Sequence, residues 1–313
     1  MRQASAHPGH HATSPLAEPD FPDPDPGASL PARTQERRKE SEARMVFLCR
    51  ACGTSYPPAP RPPAACPVCQ DERQFVPAEG QAWIAREDLP RTHRNAWHRH
   101  EPGLLSLQTV PAFAINQRAF LLSTPTGNVL WDCIALLDPA TEALVHGLGG
   151  LSAIAISHPH YHTTMQDWAA AFDAPIHLHA ADRDWIMRPS PHIRLWDGET
   201  LELAPAVTLI RAGGHFPGGT VLHWGGAADG TGVLLAGDIV QVTPGARRVS
   251  FMWSYPNMMP LPAAEVRRVA DRLAPWSFGR IHGAFQGQDV MAEGDAVVAR
   301  SAARYIELLG GTP

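Results

Sequence analysis

The segment Ser157-His158-Pro159-His160-Tyr161-His162-Thr163-Thr164 sets three imidazoles within five residues. A neutral imidazole carries a nitrogen lone pair and is the commonest metal ligand among side chains. The run follows the apolar stretch Leu151–Ile156, so its rings stand where a buried strand ends and a helix opens, and from there they can converge on one point. Three other groups share that kind of position. His215 lies in Gly213-Gly214-His215-Phe216-Pro217-Gly218-Gly219, whose glycines let the backbone turn tightly and approach a ligand. Asp238 ends the run Leu234-Leu235-Ala236-Gly237, and His282 sits in Arg280-Ile281-His282-Gly283. Each element alone is weak evidence. Together, histidines and an acid at successive strand ends of one α/β domain predict a metal site.

A second donor set precedes it. Cys49-Arg50-Ala51-Cys52-Gly53 and Cys66-Pro67-Val68-Cys69 are two C-x-x-C knuckles. Each presents two thiolates to one ion, and two knuckles complete a tetrahedral all-sulfur site. In so small a module, metal binding supplies much of the folding free energy. The knuckles resemble those of rubredoxin and of zinc ribbons. The Pro-rich loop Pro57–Pro63 has little core-forming aromatic content, which favours structural Zn2+ over iron. Cys133, alone in an apolar stretch, reads as a small buried hydrophobe.

The elements that must carry these groups follow from periodicity. Residues 1–44 are rich in Pro and charge and predict a disordered tail. Met45, at the head of an apolar run, is an expected alternative start of the chain. Residues 45–80 form the four-cysteine module. Residues 81–103 read as a connector, whose His93, His98 and His100 are taken as a solvated or interface segment rather than a site. From 104 to 313, short apolar runs alternate with amphipathic ones: strands near 119–123, 129–133, 151–157, 176–179, 206–211, 220–224, 233–236 and 278–282, and helices near 141–147, 163–172, 262–273 and 289–309. Strands interleaved with helices indicate a layered α/β domain.

The order of site residues resembles the metallo-β-lactamase superfamily over about residues 104–313. The family motif H-x-H-x-D-H falls on His158 to Thr163, and later family ligands match His215, Asp238 and His282. Two positions depart: His162 stands where the family has Asp, and Thr163 where it has the last motif His. The resemblance implies an αββα sandwich with the metal site at one edge of its two sheets. It implies a first ion site of His158, His160 and His215, bridged or completed by Asp238. A second site would keep Asp238 and His282, with His162 as a replacement ligand. Thr163 is a poor zinc ligand, and its hydroxyl suits a helix N-cap. One ion, Zn2+ or Fe2+, is therefore expected ahead of two.

Zinc on three imidazoles with an open position lowers the pKa of its water to about 7. Asp238 or neutral His162 would then accept a proton, and His282 would stabilise the oxyanion or hold a second ion. The expected function is a metal-dependent hydrolase using metal-bound hydroxide on an ester, thioester, lactone or phosphoester. The rivals are a mononuclear iron oxygenase on the same fold and a non-catalytic metal-binding or interaction protein. A net charge of -5 gives no basic surface for nucleic acid. No stretch approaches the ~18 apolar residues of a membrane helix, and a cytoplasmic location is the default expectation. A small-molecule substrate is the expected partner, and the four-cysteine module is an expected contact for a protein partner or a second copy.

Overall fold

The computed structural model describes residues 45–227 and 229–310. The expected tail over 1–44 lies outside them. Two sheets form the body. The first has seven strands in chain order: β1 (Arg94–Glu101), β2 (Leu104–Val110), β3 (Ala119–Thr124), β4 (Gly127–Trp131), β5 (Ala153–Ala155), β6 (Ile176–His179) and β7 (Ile193–Trp196). It is antiparallel through β4 and parallel from β4 to β7. The second has six: β8 (Thr200–Ala204), β9 (Val207–Arg211), β10 (Thr220–Trp224), β11 (Val233–Gly237), β12 (Arg280–Gly283) and β13 (Asp289–Val290). Its one parallel pair, β11 with β12, sets Leu235 opposite His282 and Gly237 opposite Gly283.

Side chains of both sheets interdigitate in the middle layer. Phe120, Leu122, Val129 and Trp131 from one meet Val207, Leu209, Leu222 and Leu235 from the other. Trp131 is fully buried, and truncating such a residue to Ala costs about 3–5 kcal/mol. The outer face of the first sheet is covered by helices α1 (Pro139–Gly147) and α2 (Met165–Phe172), through Val145, Met165 and Trp168. Helix α1 starts where Pro139 presets the first turn and the Asp138 carboxylate accepts from the Thr141 N–H at 2.7 Å. The outer face of the second sheet is covered by α3 (Ala263–Leu273) and α4 (Gly294–Leu308), through Val266, Val269, Val297 and Val298. The layers are therefore helix, sheet, sheet, helix, as the resemblance implies. No helix among the described residues is long and apolar enough to cross a membrane.

Three local expectations differ. The stretch 81–103 is divided: Trp83–Ala85 pairs antiparallel with Phe47–Cys49 inside the cysteine module, while Arg94–Glu101 is the outer strand of the first sheet. The long C-terminal helix starts at Gly294, because Asp289–Val290 pairs with β12 and Glu293 takes a left-handed φ of 55°. Thr163 is not a helix cap. Thr164 occupies that position without a side-chain cap, its hydroxyl donating instead to the Ile134 and Ala135 carbonyls, and the Thr163 hydroxyl is buried without a partner.

The module packs onto this body as part of it. Leu48, fully buried, shares a core with Leu89, Phe113, Ala135 and Leu136. Ser55 donates to the Thr163 carbonyl through both its backbone N–H (3.0 Å) and its hydroxyl (2.7 Å). Cys133 is fully buried, as its apolar surroundings predict.

Candidate metal centre

Three segments that follow strands meet at one edge of the sandwich. His158 and His160 follow β5, in a segment whose Pro159–Tyr161 form a single 3-10 turn. His215 lies in the loop from β9 to β10, and Asp238 follows β11. One donor atom from each of these four buried residues lies within 4.8 Å of the others. His215 Nε2 is 3.5 Å from His160 Nδ1, and His158 Nε2 is 3.8 Å from Asp238 Oδ2.

The rings are set by their far nitrogens. His215 Nδ1 donates to the Trp253 carbonyl at 2.8 Å, which leaves the Nε2 lone pair facing the cluster. His158 Nδ1 is held by Ser157 Oγ at 2.9 Å. Ser157 is itself anchored, its N–H donating to Asp132 Oδ1 at 2.7 Å. Electrostatics follow from burial. Desolvation, then the neighbouring imidazoles, hold His158 and His160 well below the ordinary histidine value. Burial brings His215 down to about 4, against the opposing Trp253 carbonyl. Burial pushes Asp238 up to about 7, with the Tyr161 hydroxyl opposing.

At neutral pH the set therefore offers neutral nitrogen lone pairs and a carboxyl group whose ionised form is disfavoured by its burial. His158 Nε2, His160 Nε2 and Asp238 Oδ1 are buried without a hydrogen-bond partner. Such atoms cost about 1–3 kcal/mol each unless something meets them. Three nitrogens and a carboxylate oxygen fit a divalent transition metal.

Two expected residues stand outside this set. His162 turns its Nδ1 to the Trp185 carbonyl, 3.2 Å away. His282 belongs to a second group with His100 and Asp289. Its Nδ1 pairs with Asp289 Oδ1 at 2.6 Å, while its Nε2 is buried and unpartnered. In the neutral ring with Nδ1–H given to the carboxylate, Nε2 offers a lone pair, the form that a ligand or proton acceptor needs. His100, read in sequence as part of a solvated segment, packs its ring 4.7 Å from that of His282 and bonds Ser106 Oγ at 2.9 Å.

A cavity of about 290 Å3 opens over the cluster. It is lined by His160 and Asp238, by Gln241, Tyr255 and Phe285, and by Arg73, Gln74 and Phe75 from the segment after Cys69. Three larger clefts, of about 580, 570 and 380 Å3, touch none of the four donor residues. Tyr255 donates its hydroxyl to the Asp238 carbonyl at 2.7 Å. Arg73 escaped the sequence reading, because it lies in no motif and acts across the fold.

The cysteines form the other donor set. Cys49, Cys52, Cys66 and Cys69 bring their sulfurs within 4.8 Å of one another, with Cys49 and Cys69 3.4 Å apart and Cys52 and Cys66 3.6 Å apart. All are unbridged thiols. Tyr56 donates its hydroxyl to Cys66 Sγ at 3.1 Å. The arrangement is that of a zinc-ribbon-like module and is consistent with a bound metal.

No family model matches the chain. The uncharacterized protein YmaE of Bacillus subtilis (strain 168) is 45% identical to it over 265 residues, which cover 84% of this chain and 96% of YmaE. The chain belongs to the YmaE family. Among solved structures, the DIM-1 metallo-β-lactamase superposes with a TM-score of 0.52 at 12% identity, covering 69% of this chain and 98% of that one. A metallo-β-lactamase from Cronobacter sakazakii gives a TM-score of 0.45 at 20% identity, over 68% of this chain and 92% of its own. This YmaE-family chain thus has the metallo-β-lactamase fold with a four-cysteine module at its N-terminal side.

Proposed function

We propose that the chain is a metal-dependent hydrolase holding one ion on His158, His160, His215 and Asp238, and acting on an ester, thioester, lactone or phosphoester. The observation that carries this reading is four buried donor atoms within 4.8 Å of one another, two of whose residues line a cavity. When bound, the ion supplies Lewis acidity and a lowered pKa for a coordinated water.

The chain's own groups do the rest. Ser157 and the Trp253 carbonyl fix the rings of His158 and His215, so the donor geometry is preorganised. Asp238 turns Oδ2 toward His158. Its Oδ1, free of hydrogen bonds, is available to take the proton of an attacking water and return it to the leaving group. Tyr255 commits its hydroxyl proton to the Asp238 backbone and so steadies the residue. Ile115, Pro256 and Phe285 give the cavity apolar walls beside its polar groups, a mixture that suits a small organic substrate.

A second reading, a mononuclear iron oxygenase, draws on the separation of His162 and His282 from the four donors. Elemental analysis of anaerobically purified protein separates the two: about one tightly held iron with oxygen consumption supports the oxygenase. For the hydrolase, wild type and His158→Ala are compared on an aryl ester, a thioester, a lactone and a phosphodiester. His158→Ala is expected to stay folded, lose one ion and drop turnover of the accepted substrate by about a hundredfold or more. Cys52→Ala is expected to lose a different ion. A metal content unchanged by His158→Ala, or no turnover of any of the four classes by wild type, overturns the hydrolase reading.

A further inference from the structure

The segment that follows Cys69 runs directly to the histidine cluster. Arg73, only 7% exposed, donates through Nε and Nη2 to the two carboxylate oxygens of Asp71, at 2.6 and 2.8 Å. Its Nη1 donates to the His215 carbonyl at 3.1 Å. The guanidinium lies 3.8 Å from the centre of the Phe216 ring and 4.6 Å from that of Trp253. A planar fork stacked and bonded on several sides is a rigid brace.

The residue before it grips the neighbouring loop. The Glu72 carbonyl accepts from Ser254 Oγ (2.5 Å) and Asn257 Nδ2 (2.8 Å), and its carboxylate accepts from Trp253 Nε1 (2.9 Å). Trp253 is the residue whose carbonyl holds the His215 ring. One short segment of the module therefore holds His215 twice: by its backbone through Arg73, and by its ring through the loop that Glu72 fastens. The next two residues, Gln74 and Phe75, join Arg73 in lining the cavity over His160 and Asp238.

We propose that the four-cysteine module is a working part of the histidine centre, with Arg73 the positioning residue through which it fixes His215. The inference rests on the reading of the histidine set as a metal centre. On this view the module's metal is structural for the second site as well as for residues 45–80, because Cys69 anchors the segment that carries Arg73.

The test titrates the metal-free full chain with Co2+. Thiolate-to-cobalt charge transfer reports the cysteine set, and paramagnetically shifted imidazole N–H proton signals report the histidine set. In Arg73→Ala the charge-transfer titration is expected to match wild type, while the imidazole signals need about 10- to 100-fold more Co2+. Arg73→Lys, which keeps the charge beside Asp71 but lacks the fork, is expected to fall between. Cys69→Ser is expected to weaken the thiolate band and shift the imidazole signals in the same direction as Arg73→Ala. Imidazole signals appearing at wild-type Co2+ in Arg73→Ala overturn the proposal. If that variant gives neither signal, the same result in both Arg73→Lys and Cys69→Ser overturns it. A wild type with the thiolate band and no shifted imidazole signals sinks the metal-centre reading, and this proposal with it.

Discussion

Gly237 meets a tight steric demand in the site. Its φ is +53°, and a Cβ there would fall 2.6 Å from Ser157 Oγ and 2.7 Å from Ser157 Cβ. Ser157 is the residue that holds the His158 ring, and Gly237 directly precedes Asp238. Gly237→Ala therefore disturbs two donors at once. The expected outcome is a 10- to 100-fold loss of metal affinity and about 1–3 kcal/mol of stability. A competition titration against a chromogenic chelator, with urea unfolding alongside, measures both. Wild-type affinity in the variant would show that the Ser157 contact does not set the His158 geometry. At this scale the four donors were legible, since each sits where an apolar run stops and a Gly, Pro or Ser begins. His162 was harder to read. Its neighbour Tyr161 closes a 3-10 turn, and a turn of that kind sends successive side chains in different directions, so alternation in the sequence does not carry over to convergence in space.

Between elements, the decisive pair is Arg118 with Asp289. Arg118, at the head of β3, is fully buried; it donates to the Gly283 carbonyl at 2.9 Å and pairs with Asp289 Oδ1 at 2.5 Å. Asp289, in β13, also pairs with His282 Nδ1. The pair thus ties the two sheets together at the edge that carries the site. Asp289→Ala leaves a buried guanidinium without its counter-charge, at an expected cost of about 3–5 kcal/mol by urea unfolding at neutral pH; a loss below about 1 kcal/mol would mean water compensates the charge. Acid dependence follows from the same contacts. Burial works against the Asp289 carboxylate, but His282 and Arg118 hold it down at about 2, below its ordinary 3.8. Its stabilising contribution is complete above about pH 4 and is lost as pH falls toward 2. Allowing for its partial exposure, that loss is about 1–2 kcal/mol, and it should vanish from the acid limb of Asp289→Ala. None of this was readable from spacing, because Arg118 and Asp289 lie far apart in the chain and β13 is only two residues long. Strand β1 was missed for a related reason. As an edge strand it buries no residue fully, with Arg94, Ala96 and His98 exposed and Asn95 and Trp97 only partly covered, so its sequence lacks the apolar content that marked Ile176–His179 and Thr220–Trp224.

Across the whole molecule, the question is whether the cysteine module is a separate unit or part of one cooperative structure. Its contacts with the body are spread over several elements: Ser55 on the Thr163 carbonyl, Arg86 on Asp167, and Arg73 on His215. Asp167 is shared, since Arg188 pairs with it from the other side at 2.6 Å. The apolar contact is continuous as well, with Trp185 and Met187 packed against the cysteine cluster. A unit joined this way has no internal boundary along which to open at low cost. Removing one thiolate by Cys66→Ser should therefore lower the stability of the entire chain, by about 3 kcal/mol or more. Hydrogen exchange gives the measurement. Amides of Phe47–Cys49 and of the remote central strand β10 should lose protection together, by similar free energies. If β10 keeps its wild-type protection while the module strand exchanges freely, the module opens alone. The histidine centre would then have to retain its geometry without the brace that Arg73 provides.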